Sequence, residues 1–225
     1  MPNRSSAPGL PSNRAISVRM RRAERHLADA HPEFERLIAA VGRCSLRPMP
    51  DPFSMLVSTV VSQQISVKAA ESIVARIVAL TGSYPLKPKA ILAAPESQLR
   101  GCGLSSAKLR TIRELAARIA DRRLDLRRLP QLDDHAISET LLPIPGIGPW
   151  SVQMVLIFGL CRMDVLPVGD LGFRYGVRDL FKLSEVPSSE ELEAMAEPWR
   201  PFRTVATWYI WRSRRMRLPT NAVNE

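Results

Sequence analysis

Between Leu142 and Trp150 the chain reads Leu-Pro-Ile-Pro-Gly-Ile-Gly-Pro-Trp. This run leaves the backbone few options. Pro143 and Pro145 end a short helix arriving from Asp134–Leu142, since each lacks an N–H and disfavours helix in the residue before it. Gly146 and Gly148 admit backbone angles that a side chain resists, and let another backbone come close. Pro149 suits the first position of a following helix, which runs on from Trp150 to Leu160. The expectation is two helices meeting at a tight corner, with the amides of Gly146, Gly148 and the second helix start facing one way. Free N–H groups at a helix start attract an anion. A plain helical corner with Gly and Pro as breakers explains the same residues without a ligand.

Other segments repeat with helical spacing. Leu109, Ile112, Leu115, Ala116 and Ile119 share a face, Lys108, Arg110, Arg113 and Arg118 lie mostly off it, and Ser105 or Ser106 can cap the start. Ile73, Val74, Ile77, Val78 and Leu80 form a second stripe that stops at Thr81-Gly82. Ser54 to Val61 reads as a more buried helix. No pair of alternating runs is joined by a hairpin turn, so the fold class is all-α. Residues 1–16 mix Pro, Ser, Asn, Gly and Arg without an apolar run. They read as a disordered tail and not as a secretory signal.

Charge narrows the partner classes. The 225 residues carry a formal net charge of +10, a surplus that draws polyanions, although a generally basic surface is the plainer reading. No apolar span is long enough for a membrane helix. Cys44, Cys102 and Cys161 are far apart and odd in number. They suit a reducing compartment and form no metal-binding spacing. His26, His31 and His135 read as ordinary surface or helix-end residues. About twenty residues beyond the corner comes Pro167-Val168-Gly169-Asp170-Leu171-Gly172. Asp170 reads on its own as a helix N-cap, the commonest role for Asp before a helical run.

Pro145-Gly146-Ile147-Gly148-Pro149-Trp150 resembles the helix-hairpin-helix element of base-excision DNA glycosylases, and the segment around Asp170 resembles the region of their catalytic aspartate. Three further stretches are similar to the alkylpurine branch: Ser62-Gln63-Gln64-Ile65-Ser66-Val67-Lys68, Leu99 through Lys108, and Trp199-Arg200-Pro201-Phe202 through Trp211-Arg212. The resemblance covers residues 50–215 in the family order. It points to DNA-3-methyladenine glycosylase II, the AlkA/MAG-like group of the helix-hairpin-helix DNA glycosylase superfamily.

The resemblance implies two helical subdomains with a cleft between them and no N-terminal β domain. Residues 17–59 with 166–225 would form one, and 60–165, carrying the hairpin at 134–160, the other. It implies a monofunctional enzyme that flips alkylated purines such as 3-methyladenine or 7-methylguanine out of duplex DNA and hydrolyses the N-glycosidic bond, leaving an abasic site. Asp170 is then the catalytic carboxylate. Trp150, Trp211 and Met154 are base-pocket candidates, Met154 standing where some relatives have an aromatic. Pro145, Gly146, Ile147 and Gly148 form the DNA-binding hairpin, and Gln63, Gln64 and Ile65 the wedge that fills the gap left by the base. No Lys stands from Leu142 to Leu160, so a covalent lysine mechanism has no support at that position. No organic cofactor is implied, only a monovalent cation, Na+ or K+, on hairpin carbonyls. The expected partner is double-stranded DNA, the expected state a monomer, and the location the cytoplasm or nucleoid of a bacterium or the nucleus of a eukaryote. A non-catalytic DNA-binding module and a glycosylase for deaminated or etheno bases are the alternatives.

Overall fold

A computed structural model of the chain describes residues 12–49 and 51–216. In chain order the helices are α1 (Asn13–Ala30), α2 (Pro32–Val41), α3 (Pro52–Ser62), α4 (Val67–Thr81), α5 (Pro88–Ala93), α6 (Glu96–Gly101), α7 (Ser106–Ala120), α8 (Asp134–Leu141), α9 (Pro149–Met154), α10 (Leu171–Phe181), α11 (Ser189–Met195) and α12 (Arg203–Met216). No strand occurs among the described residues, so the fold is all-α. Small polar residues set several helix starts. The side-chain oxygens of Ser66, Ser105 and Asp133 accept from the backbone N–H three residues on at the heads of α4, α7 and α8. Gly82, at φ 66°, closes α4 in the left-handed conformation.

The chain divides into two compact units. The first comprises residues 48–160. Its centre is α3, whose Phe53–Val57 and Thr59–Val61 are all buried. A helix apolar on every side needs neighbours all round; α3 finds them in α4, α7, α9 and the turn that follows α9. Among the described residues the second unit combines 12–47 with 161–216. There α12 is buried from Thr204 to Ile210 and packs on α1, α2 and α10. Trp199 sits fully buried among Phe34, Phe181 and His31.

Four boundaries differ from expectation. The division falls at 47/48 and 160/161 rather than at 59/60 and 165/166, because the burial of α3 lies within the hairpin's unit. Residues 13–16 are helical and not part of a tail. Ser12 Oγ accepts from the Ala15 N–H, and Ile16 is buried, which anchors the first turn. The rest of the tail assignment, residues 1–11, lies outside the described residues. The helix expected over Trp150–Leu160 is α-helical only to Met154; from Val155 to Gly159 it widens into a π turn, closed by the Leu160 N–H on the Val155 carbonyl at 3.0 Å. His31 is a helix-end residue, as expected, but its ring belongs to the aromatic cluster instead of the surface.

Candidate active site and nucleic-acid interface

In the second unit the approach to Asp170 is pinned to the first turn of α12. Thr204 Oγ1 donates to the Arg162 carbonyl (2.6 Å) and accepts from the Val165 N–H (3.0 Å), while the Thr204 N–H reaches the Met163 carbonyl at 3.0 Å. Arg203 forks onto Asp164 through Nε (2.7 Å) and Nη2 (3.0 Å), a bidentate geometry with directional strength. A turn, closed by the Asp170 N–H on the Pro167 carbonyl (2.9 Å), then delivers the chain to α10.

Asp170 is the N-cap of α10, as its sequence alone implied. Its Oδ1 accepts from the Phe173 N–H at 2.6 Å and from the Trp211 indole Nε1–H at 3.1 Å. The second bond requires α10 and α12 to lie close, and Gly176 explains how they do. A Cβ at Gly176 would collide with Ile210 Cγ2 and stand 3.1 Å from Arg214 Cδ. Ile210 directly precedes Trp211, so the glycine seats α10 against the part of α12 that carries the indole. Trp211 and Asp170 are both half-buried. Trp208 and Tyr209 are buried, 8 % and 0 % exposed, and pack inside the unit. The Arg212 guanidinium lies over Trp208, and Arg214 pairs with Asp179.

The first unit holds the corner. Asp133 caps α8, and its turn is closed by the Ile144 N–H on Leu141 and the Ile147 N–H on Ile144. The two glycines differ. Gly146 has φ 86°, and a Cβ there would collide with Thr111 Oγ1 of α7. Gly148 has φ −113°, which any residue adopts, and a Cβ would meet nothing within 4 Å. The expectation of an unusual backbone angle is therefore corrected at Gly148: within this chain nothing demands a glycine there. No side chain caps α9, and Pro149 occupies its first turn. Among the described residues, neither the Gly146 nor the Gly148 amide has an acceptor. Trp150, at the second position of α9, is half-buried; Met154, one turn on, is 5 % exposed.

Gln63, Gln64 and Ile65 separate into two kinds. Gln63 Nε2 donates to the Gly146 carbonyl (2.9 Å) and to Ser151 Oγ (3.0 Å), so its side chain is committed to the hairpin. Of the three wedge candidates it is thus the one that faces the hairpin turn. Gln64 and Ile65 are exposed. Lys108 donates from Nζ to the carbonyls of Val61 and Gln63, both at 2.8 Å, and burial pulls its ammonium below the usual lysine range. Sequence reasoning missed Lys108 because its position off the apolar face of α7 marked it as solvated. Among the described residues no group of His, Cys, Asp and Glu is placed to hold a metal. The buried Cys44 and Cys161 thiols are pushed up to about 12, chiefly by burial.

A family model described as HhH-GPD superfamily base excision DNA repair protein matches residues 57–201. The chain belongs to this superfamily. Within it, the chain is 33 % identical over 209 residues to DNA-3-methyladenine glycosylase 1 of Schizosaccharomyces pombe, covering 89 % of this chain and 90 % of that protein. It is 29 % identical to the alkylbase DNA glycosidase-like protein mag2 of the same yeast, over 85 % of this chain and 92 % of the relative. The solved structure of the S. pombe 3-methyladenine DNA glycosylase in complex with abasic DNA superposes with a TM-score of 0.78, at 33 % identity, over 86 % of this chain and 97 % of that one. HhH-GPD membership accounts for the order of the features above: loop, hairpin and acid all fall within the matched residues.

Proposed function

We propose that this protein is a monofunctional DNA glycosylase that hydrolyses the N-glycosidic bond of alkylated purines in duplex DNA and leaves an abasic site for base excision repair. The observation that carries the reading is Asp170: a carboxylate with one oxygen fixed by the Phe173 amide and the Trp211 indole, in a chain similar over nine-tenths of its length to a 3-methyladenine glycosylase. Breaking a base–sugar bond builds positive charge on the sugar. A carboxylate held in place before the reaction stabilises that charge without reorganising, and orients a water for attack. An N3- or N7-alkylated purine already carries positive charge, so it departs without a strong general acid. Trp150 and Trp211 offer aromatic faces that favour a cationic base. The uncapped start of α9 and the open space at Gly148 suit a phosphate of the bound strand.

Water, and not a lysine, is the nucleophile in this reading. Lys108 is the one lysine whose burial lowers its basicity near the hairpin, and its ammonium is spent on two carbonyls. The reading includes a monovalent cation on hairpin carbonyls. Among the described residues the Leu142 and Ile147 carbonyls accept no hydrogen bond, and such oxygens would hold the ion, whose charge would favour a neighbouring phosphate. The partner is duplex DNA, reached in the nucleoid or nucleus; no helix among the described residues is long and apolar enough to cross a membrane.

The test is release of free base from methylated duplex DNA, measured by chromatography. Release of 3-methyladenine or 7-methylguanine above the spontaneous background by the wild type, lost in Asp170→Asn, supports the proposal. Binding without release by the wild type favours a non-catalytic module. Release of hypoxanthine or ethenoadenine in place of methylated purines would change the substrate class. Borohydride is expected to trap no protein–DNA adduct, and a trapped adduct would overturn the water mechanism.

A further inference from the structure

We infer that Gln63 is a positioning residue that ties the 63–66 loop to the hairpin turn, so that the residues opening the duplex and the residues gripping its backbone move as one body. The inference rests on the glycosylase reading above.

Four observations carry it. First, Gln63 Nε2 reaches both sides of the corner, the Gly146 carbonyl before α9 and Ser151 Oγ within it. The amide orientation follows from chemistry, because a carbonyl only accepts. Second, the main chain of the same residue is held independently: its carbonyl and that of Val61, at the end of α3, accept from Lys108 Nζ. Third, Lys108 and Thr111 stand three apart on α7 and so share a face, and Thr111 is the side chain on which Gly146 rests. One face of α7 therefore holds the loop with Lys108 and the hairpin with Thr111, and Gln63 closes the triangle. Fourth, the loop is fixed at its far end too, where Ser66 Oγ accepts from the Ala69 N–H at 3.2 Å. Between these anchors Gln64 adopts φ 56°, and Ile65 is 38 % exposed.

The consequence is a two-residue projection, Gln64 and Ile65, pre-ordered from both ends. A projection that is already ordered enters the stack without a further loss of loop entropy. Because its base is bonded to the Gly146 carbonyl, its height is set relative to the turn that holds the phosphate. An exposed apolar side chain beside a left-handed glutamine is the pair that fills the gap, and Gln63 aims it.

The variant to make is Gln63→Glu. It preserves shape but removes both donated hydrogen bonds and sets carboxylate oxygens against the Gly146 carbonyl. The assay compares single-turnover release of 7-methylguanine from a methylated duplex with release from the same strand unpaired, where no base pair has to open. Expected is a loss of about tenfold or more on the duplex, the size of two lost neutral hydrogen bonds, with the single-strand rate within about twofold of wild type. Lys108→Met removes the tie from a different helix and should show the same selective loss; it keeps the test open if Gln63→Glu does not fold. An unchanged duplex rate, or an equal loss on both substrates, overturns the inference. Failure of the underlying activity is distinguishable. If the wild type releases no base, 2-aminopurine fluorescence in a bound duplex still reports base extrusion: a rise with wild type that Gln63→Glu abolishes supports the tie, and a rise with both, or with neither, refutes it.

Discussion

The starts of α9 and α10 are built on opposite principles. At α10 the chain supplies its own anion: Asp170 caps the helix and takes the Phe173 amide. At α9 no side chain caps the helix, and the preceding glycine amides have no acceptor among the described residues. A helix start without a side-chain cap suits an external anion, whereas one that carries its own carboxylate has a charge to offer to a cation. In the proposed reaction the first suits a phosphate and the second a developing sugar cation.

Substitutions at each start should break different steps. The largest effect is expected from Asp170→Asn, a loss on the order of 10²–10³ in the excision rate with duplex affinity little changed; weakened binding by this variant, in fluorescence anisotropy, would blur the contrast. Next comes Gly146→Ala, which forces a Cβ into a left-handed residue and against Thr111. It should cost about 2–5 kcal/mol of stability in urea denaturation. Gly148→Ala meets nothing within the chain, so its stability should stay within about 0.5 kcal/mol while DNA affinity falls. If both glycines proved equally costly to fold, an external role for Gly148 would lose its basis. Gly176→Ala should cost about 1–3 kcal/mol by pushing α10 from α12. Trp211→Phe keeps the ring but drops the indole donor, and a roughly tenfold loss in rate without loss of binding would isolate that one bond.

The helix order and the corner were legible in the sequence because prolines and glycines punctuate them. Those residues act through their own backbone, and that is a local property. Asp170 was legible as a helix cap, because capping too is a local property. Gln63 was not: two adjacent glutamines look alike until the φ of Gln64 turns one outward and leaves the other facing Ser151. The glycines of the hairpin looked equivalent too, since the positive φ of Gly146 and its contact with Thr111, distant in sequence, appear only in the fold. Lys108 was hidden by its charge, which usually marks a solvated face and here closes a helix end. The place of α3 in the hairpin's unit, and the indole donor of Trp211, depend on long-range packing that no periodicity encodes.

The π turn at Val155–Gly159 has a genetic consequence. A wide turn of this kind holds one residue more than an ordinary helix of equal length. Removing a single codon there would leave the segment helical and wind it tighter. Because the wide turn takes up the extra residue locally, the part of the segment beyond the deletion would keep its register against the part before it. A lineage that lost this one residue would keep the corner and the register of the segment up to Leu160, so the site is one where chain length can change without disturbing its neighbours.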